Sequence, residues 1–263
     1  MANDHLLKAV DDLGRVTLTL NRPAQHNVFD DQLINTLTTT LKDLNADPQV
    51  RVVCLRGAGR SFSAGADLNW MRRMAEYTQA ENLADAMALA ELMQTLNTLA
   101  KPTLALVQGA AFGGGVGLVA ACDLVLATPQ ASFCLSEVKL GLIPAVISPY
   151  VIAAIGARAA RRYFLTAEGF DADRARQLGL VHEVVATAAL DHRADLLTRQ
   201  LLANGPQALA AAKQLVADVA GRPIDAELLA DTAQRIATLR ASDEGREGLS
   251  AFLTKRPPAW LKG

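Results

Sequence analysis

Two stretches of this 263-residue sequence combine small residues, glycines and a helix start in a way that bares backbone N–H groups. In Gly59-Arg-Ser-Phe-Ser-Ala-Gly-Ala-Asp-Leu68, the small residues Ser63-Ala-Gly-Ala66 let the main chain approach a ligand, and Asp67 stands ready to open a helix over Leu68–Met74. In Gln108-Gly-Ala-Ala-Phe-Gly-Gly-Gly-Val-Gly117, the triplet Gly113-Gly-Gly115 begins a helix. The first N–H groups of a helix have no intrahelical partner, and its dipole points the positive end outward. Two such groups converging on one carbonyl oxygen would stabilise an oxyanion, and losing one donor of that kind raises a barrier by about 3–4 kcal/mol. The same glycines also suit tight helix-on-sheet packing, and a lone glycine-rich turn does not separate the two readings.

Elements around these loops must position them. Residues 15–20 alternate and stop at Asn21-Arg-Pro23, as a half-buried strand would. Residues 51–57, 103–109 and 123–127 are short continuous apolar runs, the pattern of parallel strands covered on both faces. Helical patterns lie between them, over residues 31–45, over 82–99 and after Gly113, so the chain reads as α/β. Beyond residues 180–185 it is helix after helix, punctuated by Pro206, Pro223 and Gly245. We read residues 1–190 as the core carrying the site and 191–263 as a helical region that must cover the body or a neighbouring subunit. Residues 102–122 carry no charge over the length of a membrane span, yet five glycines and Gln108 favour a strand, a turn and a packed helix.

With 51% hydrophobic residues the chain can bury a large core. A net charge of −1, a pI near 6.4 and scattered Lys and Arg argue against nucleic-acid or membrane-surface partners. Cys54, Cys122 and Cys134 lie far apart in apolar runs, with no CxxC spacing and no histidine cluster, so they read as buried free thiols and no metal site is expected. Residues 1–12 have no apolar signal core, which leads to the expectation of a cytoplasmic protein.

The two loops, in this order and followed by Ala131-Ser-Phe-Cys-Leu-Ser-Glu-Val-Lys-Leu-Gly-Leu-Ile-Pro144, resemble the crotonase superfamily, the enoyl-CoA hydratases and isomerases. The resemblance runs from Leu20-Asn-Arg-Pro23 to Phe252-Leu-Thr-Lys-Arg256. It implies the crotonase fold, a spiral of repeated ββα units, with C-terminal helices that build a homotrimer or hexamer. It also implies an acyl-CoA substrate, with coenzyme A belonging to the substrate and no separate cofactor. Matching the motifs places the oxyanion donors at the N–H groups of Ala66 and Gly114 and sets Ala64, Asp67, Leu68 and Asn69 along the substrate channel. Phe252 and Lys255 match positions that reach the adenine and phosphates of coenzyme A, commonly across a subunit boundary. The typical hydratase of this family carries two glutamates flanking the bound water. The second is present here as Glu137, the catalytic candidate, and the first is replaced by Gly117.

One carboxylate beside a desolvated thioester still allows hydration, double-bond isomerisation or binding without turnover. Gly117 removes a group that would crowd and repel a carboxylate-bearing branch at C3, by about 3–4 kcal/mol at 4–5 Å and an effective dielectric near 20. With Ala145-Val-Ile-Ser-Pro-Tyr150 following Pro144, the chain resembles the bacterial branch of 3-methylglutaconyl-CoA hydratases, which form 3-hydroxy-3-methylglutaryl-CoA in leucine breakdown, and of their isohexenylglutaconyl relatives. A single-glutamate isomerase and a non-catalytic acyl-CoA-binding homologue stand as alternatives. Arg72 and Arg73 are candidates to hold a distal carboxylate, and Trp70 and Met71 to line the acyl pocket or fill plain core. His26 occupies a turn where relatives place a basic residue near phosphate.

Overall fold

The alternating burial of residues 15–20 and the continuous burial of three later apolar runs sort the strands into two sheets in the computed structural model, which describes residues 5–261. Residues 1–4 of the stretch read for a targeting signal lie outside the described residues. In chain order the elements are β1 (Leu6–Val10), β2 (Arg15–Leu20), α1 (Asp31–Ala46), β3 (Val52–Gly57), β4 (Ser61–Ser63), α2 (Leu68–Met74), α3 (Gln79–Asn97), β5 (Thr103–Val107) and β6 (Ala110–Phe112). Then come α4 (Gly114–Ala121), β7 (Leu124–Ala127), β8 (Ser132–Cys134), α5 (Ser148–Thr166), β9 (Phe170–Asp171), α6 (Ala172–Leu178) and β10 (Glu183–Val184). Four helices close the chain: α7 (Leu190–Leu202), α8 (Pro206–Val219), α9 (Ala226–Ala241) and α10 (Asp243–Leu253).

The larger sheet runs β1-β2-β3-β5-β7-β10 and the smaller β4-β6-β8-β9. Each of the pairs β3/β4, β5/β6 and β7/β8 gives its first strand to the larger sheet and its second to the smaller before a helix follows, which is the repeated ββα unit that the resemblance implies. Alternate residues of β3, β5 and β7 enter two cores. Val53, Leu55, Ala105, Val107 and Val125 join α1, α3 and α4, while Val52, Cys54, Leu104, Leu106 and Leu126 meet Leu190 and Ala194 of α7. The helix at which the two regions were divided, α7, therefore lies on the sheet.

The corners between the sheets are pinned together. Gln108 Nε2 donates to the carbonyls of Gly57 and Ser61, both at 2.9 Å, and of Gly59 at 3.1 Å. Gly109 admits this contact because a Cβ there would stand 1.8 Å from the Arg60 carbonyl oxygen.

The uncharged stretch from Pro102 to Cys122 is β5, β6 and α4, and among the described residues no helix is long and apolar enough to cross a membrane. β1 is not anticipated from the sequence: it is a half-solvated edge strand, antiparallel to β2, with Leu7 and Val10 exposed. Gly245, read as punctuation, lies inside α10. Its role is close approach, since a Cβ there would stand 2.0 Å from the Leu239 carbonyl oxygen at the α9–α10 corner. Cys54, Cys122 and Cys134 are buried free thiols.

Candidate active site

The first loop leaves β4 and is tied to residue 29. Phe29 N–H donates to the Gly65 carbonyl at 2.7 Å, and Asp67 N–H to the Phe29 carbonyl at 2.6 Å. These bonds make Ala66 and Phe29 a parallel bridge, so the Ala66 N–H is turned to the opposite side from Phe29. Asp67 then caps α2, accepting from Asn69 N–H at 2.8 Å and Trp70 N–H at 3.2 Å. Its other oxygen takes a guanidinium hydrogen bond from Arg22 at 3.0 Å. Burial works against ionisation of Asp67, but these donors outweigh it and hold its carboxyl below the usual range.

The second loop leaves β6 through Gly113, whose φ of 52° and ψ of −120° suit glycine. Gly113 N–H donates to the Cys134 carbonyl at 2.9 Å, which ties the start of α4 to the strand leading to Glu137. The next N–H, at Gly114, is the first of the helix and has no acceptor among the described residues. The two loops touch. A Cβ on Gly115 would stand 2.7 Å from the Ser63 carbonyl oxygen, one on Gly65 3.4 Å from the Phe112 carbonyl oxygen, and one on Gly114 3.3 Å from the Phe29 ring.

Glu137 starts a short 3-10 turn, Glu137–Leu140, ended by Gly141 with a φ of 72°. Its Oε1 lies 3.3 Å from where a Cβ on Gly113 would stand, and its buried Oε2 has no hydrogen-bond partner. Burial raises its pKa above the ordinary glutamate value, opposed only by its own backbone N–H. A half-desolvated carboxyl thus faces the positive end of a helix whose first N–H is unused.

Gly117, one turn further along α4, does not leave the open space expected of it. A Cβ there would meet Ile147 Cγ2 at 2.3 Å, Ile147 Cβ at 2.9 Å and Met93 Cε at 3.1 Å. The room for a branch cannot lie at this Cα, because the protein's own apolar side chains fill it.

The remaining candidates divide. Ala64 donates its N–H to the His26 carbonyl at 2.9 Å, Leu68 is exposed, and Asn69 Oδ1 accepts from Arg72. Arg73 pairs with Asp31 at 2.6 Å on the surface, and Arg72 donates to the neutral amide oxygen of Asn69 at 2.7 Å. Trp70 is core, its indole N–H donating to Asp85 at 3.0 Å. His26 has its ring between Ser61 and Arg60. Phe252 and Lys255 are exposed at the end of α10, which packs on α8 and α9. Surface clefts of about 200 Å³, at Lys101 and Gln207, and about 220 Å³, at Leu239 and Trp260, include none of the loop residues.

Sequence reasoning missed Arg22, Phe29, Met93 and Ile147. Arg22 was in view in the Asn21-Arg-Pro23 turn, and its pairing with two aspartates was the signal to seek. Met93 and Ile147 look like any core residue until the helices are packed.

The enoyl-CoA hydratase/isomerase family profile matches residues 14–263. The crystal structure of an enoyl-CoA hydratase from Shewanella pealeana is similar with a TM-score of 0.95 and 47% identity, covering 97% of this chain and 96% of that one. The 2,3-dehydroadipyl-CoA hydratase of Escherichia coli is 36% identical, over 92% of this chain and 92% of its own. The 1,2-epoxyphenylacetyl-CoA isomerase of Escherichia coli is 35% identical, over 93% of this chain and 94% of its own.

Proposed function

This chain belongs to the enoyl-CoA hydratase/isomerase family and is an enzyme of the hydratase type, and from that premise we propose that it adds water across the 2,3 double bond of a branched enoyl-CoA with Glu137 as its single acid–base group. The observation that carries this reading is the half-buried Glu137 carboxyl against Gly113, its Oε2 buried without a hydrogen-bond partner, next to the unused Gly114 N–H. In the proposed step the thioester carbonyl lies between the N–H groups of Ala66 and Gly114, which stabilise the enolate oxygen that forms as C2 gains charge. Glu137 takes a proton from the water adding at C3 and returns one to C2. A carboxyl whose pKa burial raises above the ordinary glutamate value suits both halves of that exchange.

For the acyl group we propose a glutaconyl-type thioester, with 3-methylglutaconyl-CoA going to 3-hydroxy-3-methylglutaryl-CoA as in leucine breakdown, and isohexenylglutaconyl-CoA as the longer-chain alternative. The absence of a second carboxylate at Gly117 supports an acyl group that carries its own, as does the kinship with a hydratase named for a carboxylate-bearing substrate. Coenzyme A enters as part of the substrate, with no further cofactor. Phe252 and Lys255 would contact it from a neighbouring subunit of a trimer or hexamer, which fits their exposure. A second reading, proton shuttling between C2 and C4 as in an isomerase, is favoured by the apolar filling over Gly117 and by kinship with a named isomerase.

The test is incubation with 3-methylglutaconyl-CoA, isohexenylglutaconyl-CoA, crotonyl-CoA and a 3-enoyl-CoA, following the mass of each product. Gain of one water selective for the 3-methyl substrate supports the proposal. Unchanged mass with a migrated double bond in the 3-enoyl sample makes the enzyme an isomerase.

A further inference from the structure

Gly113, the residue before α4, and Gly117, one turn into it, are joined by a hydrogen bond from Gly117 N–H to the Gly113 carbonyl at 3.3 Å. Over Gly113 stands Glu137. Over Gly117 stands Ile147, with Cγ2 and Cβ at 2.3 and 2.9 Å from the place of a Cβ, nearer than side-chain atoms tolerate. Ile147 cannot step aside cheaply. It is 3% exposed, β-branched, and begins α5, where its carbonyl accepts from Val151 N–H at 3.1 Å. Met93, which closes the other side at 3.1 Å, is fully buried in α3.

The second carboxylate of a two-glutamate hydratase is thus excluded by volume as well as absent from the sequence. The atoms that meet the place of a Cβ on Gly117 belong to the apolar side chains Ile147 and Met93, which offer no hydrogen bond, whereas an ordered water needs two to four polar partners.

We propose that Ile147 is a specificity-determining residue: seated over Gly117, it restricts efficient water addition to enoyl thioesters that bring a carboxylate of their own to help hold the water. This rests on the hydratase reading above. The balance is that of hydration. The water oxygen bonds to C3 as the C2=C3 π bond breaks, one water proton passes to Glu137, and Glu137 delivers a proton to C2. The substrate carboxylate orients the water by accepting its other hydrogen and is unchanged at the end.

The experiment compares wild type, Gly117→Glu, Ile147→Gly and the double variant, each for melting temperature and for water addition to 3-methylglutaconyl-CoA and crotonyl-CoA. Glycine is a good residue at the start of α5. Wild type is expected to prefer the carboxylate-bearing substrate in kcat/KM by at least about a hundredfold, at the low end of what a positioned acid–base group contributes. Gly117→Glu alone lowers the melting temperature, and in the double variant the loss is smaller than the sum of the single losses. The double variant gains at least about tenfold on crotonyl-CoA over wild type, part of that same contribution. Gly117→Ala, which adds only the colliding Cβ, serves for the melting comparison where the glutamate variant does not fold.

Equal rates of wild type on the two substrates, additive melting losses, or a folded double variant with no gain on crotonyl-CoA would overturn the proposal. Failure of the underlying reading has its own signature, no gain of water by any thioester with wild type, and this proposal then falls with it.

Discussion

Asp67 accepts from the Arg22 guanidinium at 3.0 Å while its other oxygen caps the helix that follows the first glycine-rich loop. Arg22 also donates to Asp30 at 2.7 Å, and Asp30 caps α1 through Leu33 N–H at 2.8 Å. One guanidinium therefore fixes the starts of two helices and the stretch between them that holds Ala66. The resemblance sets Asp67 along the substrate channel after the Ala66 donor; its carboxylate also positions that loop, accepting from Arg22, Asn69 and Trp70.

Asp67→Ala removes a cap, which costs about 0.5–2 kcal/mol, and leaves Arg22 with one partner fewer. Asp67→Asn keeps the cap and loses the ion pair. Urea titration is expected to rank the stabilities wild type, then Asn, then Ala. An alanine variant as stable as wild type would remove the tie from the account.

The Gly114 N–H can be deleted without breaking α4, because the first helical position tolerates proline well. A proline ring there must press on Phe29, from which a Cβ would stand 3.3 Å away, so some loss of stability accompanies it. Gly114→Pro is expected to lower kcat by about a hundred- to a thousandfold, as for other deleted oxyanion donors, while the dissociation constant for a saturated acyl-CoA moves far less. Isothermal titration with the saturated thioester separates the two effects.

Glu137→Gln preserves size and removes the proton carrier. A loss of about a hundred- to ten-thousandfold in kcat follows from the usual contribution of a positioned acid or base. Activity unchanged on every thioester converted by wild type would remove Glu137 from the mechanism.

The same carboxyl also sets a pH dependence of stability. Its folded pKa is raised by burial above the unfolded value of about 4.3. Between those two values the folded state binds more protons than the unfolded, so stability falls as pH rises through the window and stays lower above it. Glu137→Gln has no such group. Its melting temperature relative to wild type is expected to climb from pH 4 towards neutrality; a difference independent of pH would mean that the burial does not reach the carboxyl.

Much of the fold was legible because its signals are local. The cap Asp67, the proline at the start of α8 and the apolar runs of β3, β5 and β7 each act within a few residues. What stayed hidden depends on packing. β1 carries no clean alternation because it lies at a sheet edge with much of its surface in water. The occupant of the space over Gly117 comes from α3 and α5, and no spacing in the sequence brings residues 93, 117 and 147 together. Glu137 and the glycines were found from a motif, while the environment that leaves the carboxyl's buried Oε2 without a hydrogen-bond partner could be read only from the fold.

The last helices bear on both assembly and binding. Val216 is 69% exposed, Leu229 62%, Phe252 82% and Leu253 76%, more apolar surface than a lone chain in water would favour on a single helical layer. If this layer is the subunit interface, light scattering at micromolar concentration gives a mass of three or six times 27.9 kDa. Leu253→Glu then shifts the population towards monomer by placing a charge in the buried contact. Because Phe252 and Lys255 sit on the same helix end, loss of the trimer should weaken acyl-CoA binding in step, whereas a site complete within one chain would keep its affinity as the mass falls. A wild-type monomer with full acyl-CoA affinity would assign that apolar layer, and the two residues beside it, to something other than assembly.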